Sequence, residues 1–201
     1  MKQGWFSVAL VVFMIFVCVQ RLMETFARRP TIKGDRLLRW SFPLMMVVHT
    51  AIFVGTVVEY FAVPRAINYW VTAAGLVLYI GSLILRNTAI RTLGRYFSLH
   101  IEIRRDHPLI TEGVYGVLRH PIYSAVILEL ISVPLVANAY YTVLGTIVLY
   151  LPLLFLRLQR EEVAMLERFG VSYEQYRREV GALVPKWSAL ARGWRLSRQR
   201  S

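Results

Sequence analysis

The sequence predicts an all-α, polytopic membrane protein with about five transmembrane helices, the last two paired as a hairpin and followed by a cytoplasmic helical extension. Three observations carry this expectation: long uncharged apolar runs, basic residues gathered on alternate loops, and two polar clusters that bracket the final apolar stretch.

Apolar residues make up 56% of the chain, above the share of an average soluble domain. Residues 3–20 and 66–85 carry no charge, 41–63 only His49 and Glu59, 121–137 only Glu129, and 139–156 none. A spanning helix takes roughly 17–25 mostly apolar residues, so each run predicts a span, the fourth being the shortest. The first run reads as a retained helix, because no Ala-x-Ala site follows it and Arg21 with Arg28 and Arg29 forms a stop signal.

Lysine and arginine outnumber aspartate and glutamate by 24 to 12. Segments 21–40 and 86–120 hold six basic residues each and 157–201 holds ten, leaving Lys2 and Arg65 on the other side. Basic flanks stay cytoplasmic, which puts the N-terminus outside and the C-terminus, with the polar clusters beside the last apolar stretch, inside, and the inner cell membrane as the expected location. Because the net charge of +12 is spread over membrane-flanking segments, it reads as attraction to anionic lipid and not as a nucleic-acid site. Cys18 is the single cysteine, which excludes an intrachain disulfide framework and a cysteine metal site.

The chain reads as one membrane domain, 1–201, with no repeat and no long linker. Segment 86–120, with Gly94, Pro108 and Gly113, predicts short helical pieces and loops on the membrane face. Pro121 opens the fourth span, and Pro152 inside the fifth is expected to free the carbonyl of Val148 and kink the helix. Beyond Leu156 the helix continues through Leu158, Val163, Leu166 and Phe169 to a stop at Gly170, and the tail folds back onto the protein.

A helical hairpin returns its ends to one membrane face, so Arg119-His120-Pro121-Ile122-Tyr123 and the segment Arg157 to Glu162 should meet there. Arg157 and Glu161 are four apart on one helix, the spacing of a plain surface ion pair. They are also the pair by which an arginine grips an anion while a carboxylate accepts hydrogen bonds or faces a cation. His120 and Tyr123 fit an interfacial cap and anchor, or a site. His100, His107 and His120 match no compact zinc spacing, so no metal is expected. Glu129 lies mid-span, where an ionisable group is costly and faces the bundle interior, with His49 as one available partner. No dinucleotide fingerprint, Walker loop or Gly-x-Ser-x-Gly elbow occurs, so any nucleotide-like cofactor must be held by the membrane helices and their loops.

From about Gly94 to Pro185 the chain resembles the isoprenylcysteine carboxyl methyltransferase family. The resemblance rests on the run His107 to Tyr115, Arg119-His-Pro-Ile-Tyr123, Arg157, Glu161-Glu162, the Phe169-Gly170-x-x-Tyr173-x-x-Tyr176 ending and Val184-Pro185. Ser124 departs from the glycine common in that motif. The resemblance implies methyl transfer from S-adenosylmethionine to a lipid-linked acceptor, the carboxylate of a prenylated cysteine or similar isoprenoid. It implies a cofactor pocket lined by His107, Pro108, Leu109, Ile110, Tyr115, His120, Pro121, Ile122, Tyr123 and Glu161, with Arg157 as the catalytic, acceptor-binding residue. His100 falls near a further family cofactor contact. The alternatives are an amine or thiol acceptor, an NADPH reductase of the sterol-reductase type, and a non-catalytic scaffold.

Overall fold

The computed structural model describes residues 4–26, 35–38, 40–98, 101–103 and 108–186. Helix α1 (Gly4–Phe26) is followed by β1 (Asp35–Leu37), α2 (Ser41–Ala62), α3 (Tyr69–Leu93) and β2 (Ile101–Ile103). Then come α4 (Pro121–Val136), α5 (Tyr140–Gly145), a π turn over Thr146–Tyr150, α6 (Leu151–Phe169) and α7 (Val171–Glu179). His100 and His107 lie outside the described residues.

Among the described residues, four helices are long and apolar enough to cross a membrane: Gly4–Phe26, Ser41–Ala62, Tyr69–Tyr96 and Tyr140–Phe169. Where a fourth span is expected, the structure has α4, an apolar helix of 16 residues. At 1.5 Å per residue it is about 24 Å long, short of a roughly 30 Å hydrocarbon core. Its place explains its sequence. Nine of its residues are buried, on every side of the helix, so α4 is the central post and reads apolar all round. The outer helices turn valine, isoleucine and phenylalanine outward, as Val8, Val12, Phe16, Val58 and Ile84 do.

Helix α3 packs on α4 more extensively than any other pair. Gly75 permits it. A Cβ there would stand 2.8 Å from the Val136 amide nitrogen and 3.0 Å from the Ser132 carbonyl oxygen. Small residues at such crossings let helix backbones approach, the ordinary basis of helix association in lipid. Helix α3 also outruns the apolar segment that predicts it, by eight residues, because no breaker intervenes before Gly94. Arg86 is therefore not a flanking charge. It is 2% exposed inside the bundle.

The hairpin turn between α4 and α5 is held by polar side chains. Asn138 takes a left-handed conformation, φ 56°, which asparagine tolerates. Its amide donates to Thr72 Oγ1 at 2.9 Å and accepts from the Asn68 amide at 2.9 Å. Glu59 of α2 accepts from the Thr142 amide at 2.7 Å and the Tyr141 amide at 3.0 Å, capping α5, and takes Arg65 at 2.9 Å. Beyond this cap α5, the π turn and α6 run as one 30-residue rod. Just ahead of Pro152 lies the π turn, which includes Val148 and in which the Leu151 amide donates to the Thr146 carbonyl. At about 45 Å the rod exceeds the hydrocarbon core, so its polar C-terminal end projects from the membrane.

Beyond the expected all-α architecture, β1 and β2 pair antiparallel, Asp35 with Ile103 through Leu37 with Ile101. Strands of three residues give no readable alternation, and the pairing joins two loops far apart in sequence.

Gly75→Ala is expected to destabilise the protein by about 1–3 kcal/mol, as overpacking does. Gly81→Ala, with nothing within 4 Å of the added Cβ, should not destabilise it and should gain up to about 1 kcal/mol of helix propensity. Thermal unfolding in detergent compares the two.

Candidate active site

The hairpin brings the two polar clusters together, as the spacing predicts. The Tyr123 hydroxyl of α4 donates to Glu161 Oε2 of α6 at 2.6 Å and accepts from Arg157 Nε at 2.9 Å. The phenol thus stands between the two residues that sequence spacing alone would pair directly. Arg157 is 5% exposed, with Nη1 3.7 Å from Met45 Sδ of α2. His120 stacks on Tyr123, ring centroids 5.7 Å apart and planes 15° apart.

The adjacent carboxylates Glu161 and Glu162 divide two tasks. Glu162 receives Arg119 through Nε at 2.9 Å and Nη2 at 3.1 Å, His120 Nε2 at 2.7 Å and the Tyr173 hydroxyl at 2.8 Å. Its oxygens are committed to holding α4, α6 and α7 together. Glu161 is left at the cavity wall with Tyr123.

The tail folds back onto this knot, as expected. Gly170, at φ 51°, ends α6 and starts α7 with a backbone turn that disfavours any other residue. The Arg119 and His120 amides donate to the Gly181 and Ala182 carbonyls at 2.8 and 3.0 Å. Ser124 Oγ donates to the Leu183 carbonyl at 2.9 Å, so the departure from glycine gives the tail another anchor. The Tyr176 hydroxyl donates to the Tyr115 carbonyl at 2.6 Å. Burial pushes the Tyr115, Tyr173 and Tyr176 phenols above their ordinary range, with the Glu161 carboxylate adding to the shift at Tyr115 and Glu162 at Tyr173. All three are neutral, and Tyr173 and Tyr176 act as donors.

A cavity of about 900 Å³ opens beside this arrangement. Leu109, Ile110, Tyr115, His120, Pro121, Ile122, Tyr123, Arg157 and Glu161 all line it. Pro108 is exposed and is not among the lining residues. Phe169, Tyr173 and Tyr176 add an aromatic wall. From this polar end the cavity continues as an apolar trough between α1 and α2, lined by Met14, Cys18 and Leu22 on one side and Met46, Thr50 and Val54 on the other.

Sequence reasoning missed a buried ionic cluster at the trough's edge. Glu129, fully buried, accepts from Arg21 Nε at 2.6 Å and pairs with the Arg21 Nη2 and Arg86 Nη2 groups. Arg86 also reaches Glu24 at 3.2 Å, and His49 Nε2 stands 4.0 Å from Glu129 Oε1. Arg21 continues the inward stripe Phe6, Leu10, Met14 and Val17 of α1, and that periodicity is the signal that could have found it. Among the described residues no group of histidine, cysteine, aspartate and glutamate is placed to hold a metal ion.

The profile of the isoprenylcysteine carboxyl methyltransferase (ICMT) family matches residues 75–167. Protein-S-isoprenylcysteine O-methyltransferase B of Arabidopsis thaliana is 30% identical over 151 residues, 74% of this chain and 76% of the relative. A probable protein-S-isoprenylcysteine O-methyltransferase of Oryza sativa subsp. japonica is 34% identical over 126 residues, 61% of this chain and 65% of the relative. A solved structure of the eukaryotic intramembrane Ras methyltransferase ICMT matches with a TM-score of 0.55 at 29% identity, covering 71% of this chain and 52% of that one. The chain thus spans about half the length of that solved relative.

Glu162→Ala strands the Arg119 charge in a site 9% exposed and is expected to cost about 3–5 kcal/mol, as unpairing a buried charge does. Arg178→Ala removes an exposed pair with Glu174 and should cost no more than about 1 kcal/mol. Thermal unfolding of the two variants separates a structural carboxylate from surface charge.

Proposed function

The chain belongs to the isoprenylcysteine carboxyl methyltransferase family, and from that premise we propose that it methylates the carboxylate of a prenylated cysteine or similar isoprenoid lipid, using S-adenosylmethionine. The observation that carries this reading is the Arg157–Tyr123–Glu161 chain at the junction of a polar chamber with a bilayer-level apolar trough. Such a cavity accepts a charged, water-borne cofactor at one end and a lipid tail at the other.

The residues present fit the cofactor. The chamber offers a carboxylate for its cationic portion in Glu161, and flat aromatic and aliphatic surface for a purine in Tyr115, Phe169, Leu109 and Ile110. When bound, S-adenosylmethionine supplies a methyl group already made electrophilic by its sulfonium, so catalysis needs mainly positioning. Tyr123 holds Glu161 in place, and the stacked His120 ring limits the motion of Tyr123. His107 and Pro108 remain proposed cofactor contacts by resemblance.

Arg157 orients the acceptor. A carboxylate is nucleophilic without a general base, so the requirement is to align it without quenching its attack. Bonding Arg157 Nε to Tyr123 fixes the guanidinium plane and leaves the cation beside the chamber, where it neutralises the incoming charge. Alignment that improves toward the transition state raises the rate, whereas tighter ground-state binding does not. In this reading the site face is cytoplasmic and the N-terminus lies outside, in keeping with the basic loops 21–40 and 86–120 and the tail.

Arg157→Ala is expected to lower methylation of N-acetyl-S-farnesylcysteine by roughly 10²–10³, the scale of losing one preorganised charged donor. Calorimetric binding of S-adenosylhomocysteine should largely survive Arg157→Ala and fall in Glu161→Ala. Binding of NADPH with no response to S-adenosylhomocysteine would overturn the reading. Turnover of an amine or thiol acceptor in place of the carboxylate would select that alternative acceptor class.

A further inference from the structure

Helix α1 packs on the bundle through side chains, with Phe6, Leu10, Met14 and Val17 buried in the core. It has no backbone packing on another helix comparable to that of α3 on α4. Beyond this apolar stripe, polar and stacking contacts tie it at two levels. At the end away from the site, Ser7 Oγ meets the Tyr60 hydroxyl at 2.8 Å and Trp5 stacks on Tyr69 with ring planes 7° apart. Nearer the site, Arg21 and Glu24 enter the buried cluster with Arg86 and Glu129. Between the two ties runs the apolar trough.

We propose that Glu129 is a positioning residue for the acceptor: through Arg21 it fixes how far α1 stands from α2, and so the width of the trough in which the lipid tail lies. This rests on the methyltransferase reading above. Three features of the cluster support it. Glu129 takes Arg21 through both of its oxygens, which fixes direction as well as distance. Its charges balance, with Arg21 and Arg86 against Glu24 and Glu129, so a polar cluster borders the trough without placing net charge against an apolar tail. Arg21 and His49 line the same cavity that Arg157 and Tyr123 line, so a shift of Arg21 alters the tail's channel directly. Glu129 itself is fully buried behind them and does not line the cavity.

A position-setting role separates acceptor from cofactor use. In Glu129→Gln we expect the KM for N-acetyl-S-farnesylcysteine to rise roughly tenfold while kcat changes little and S-adenosylhomocysteine affinity holds within about twofold. Removing one carboxylate also leaves buried arginines short of a partner and threatens folding. The double variant Arg21→Met/Glu129→Leu removes a cation and an anion together and leaves Arg86 with Glu24, so its unfolding temperature should stay near that of the unaltered protein. The raised acceptor KM should persist in it.

The unaltered protein supplies an independent reading. Cys18, the single cysteine, is exposed and lines the α1 side of the trough. Saturating N-acetyl-S-farnesylcysteine should slow its modification by a small membrane-permeant thiol reagent, and S-adenosylhomocysteine alone should not. A stable double variant with unchanged acceptor KM, or Cys18 modified equally fast with and without the acceptor, would overturn the proposal. If neither compound binds nor turns over, the methyltransferase reading itself has failed.

Discussion

The site depends on two neighbouring carboxylates at the projecting end of α6 facing two ways. Glu162 is saturated by Arg119, His120 and Tyr173, and this bonding joins α4, α6 and α7 into one body. Glu161, one residue earlier, can then present its carboxylate to the cavity through Tyr123. A largely enclosed carboxylate that accepts four hydrogen bonds, from Arg119, His120 and Tyr173, is a strong fixed point, because losing a donor leaves a poorly solvated charge short of a partner. The tail, the aromatic wall and the orientation of His120 all follow from that anchor. The π turn ahead of Pro152 and the Glu59 cap on α5 set the other end of the same rod.

The molecule solves one membrane problem in two different ways. At the hairpin turn, Glu59, Arg65 and Asn138 satisfy exposed helix ends with short-range bonds, so the post α4 can be shorter than the bilayer is thick. In the interior, Arg21, Glu24, Arg86 and Glu129 place four ionisable groups where lipid tolerates none unpaired. Helices α3 and α4 are joined by backbone approach, whereas α1 is joined by side chains alone, an apolar stripe and the Arg21–Glu129 pair. On the proposed reading, α1, which lacks that backbone approach, is the wall beside which the lipid tail lies.

Much of the site was legible because its residues recur at short spacing. Tyr123 follows His120 by three residues and Glu161 follows Arg157 by four, and a hairpin between them needs only apolar runs of suitable length. The cavity accordingly includes Leu109, Ile110, Tyr115, His120 and Pro121 through Tyr123, with Arg157 and Glu161. The interior cluster was not legible, because Arg21 and Glu129 are 108 positions apart and nothing local joins them. Arg21 and Arg86 also sit where an apolar run ends, and there a basic residue reads as a membrane flank. The β1–β2 pairing escaped for the same reason of distance, and so did the place of Tyr123 between Arg157 and Glu161, because it comes from another helix. Long-range pairing of charge is where pattern reading ends.

The most direct measurement is radiolabelled methyl transfer from S-adenosylmethionine into membrane lipid extracts, with the product then treated with mild base. A carboxyl methyltransferase makes an ester, so the label should leave as volatile methanol, and a Glu161→Gln protein should incorporate far less of it. Label that withstands base would place the methyl group on nitrogen or sulfur. That result, or no incorporation at all, would contradict the account.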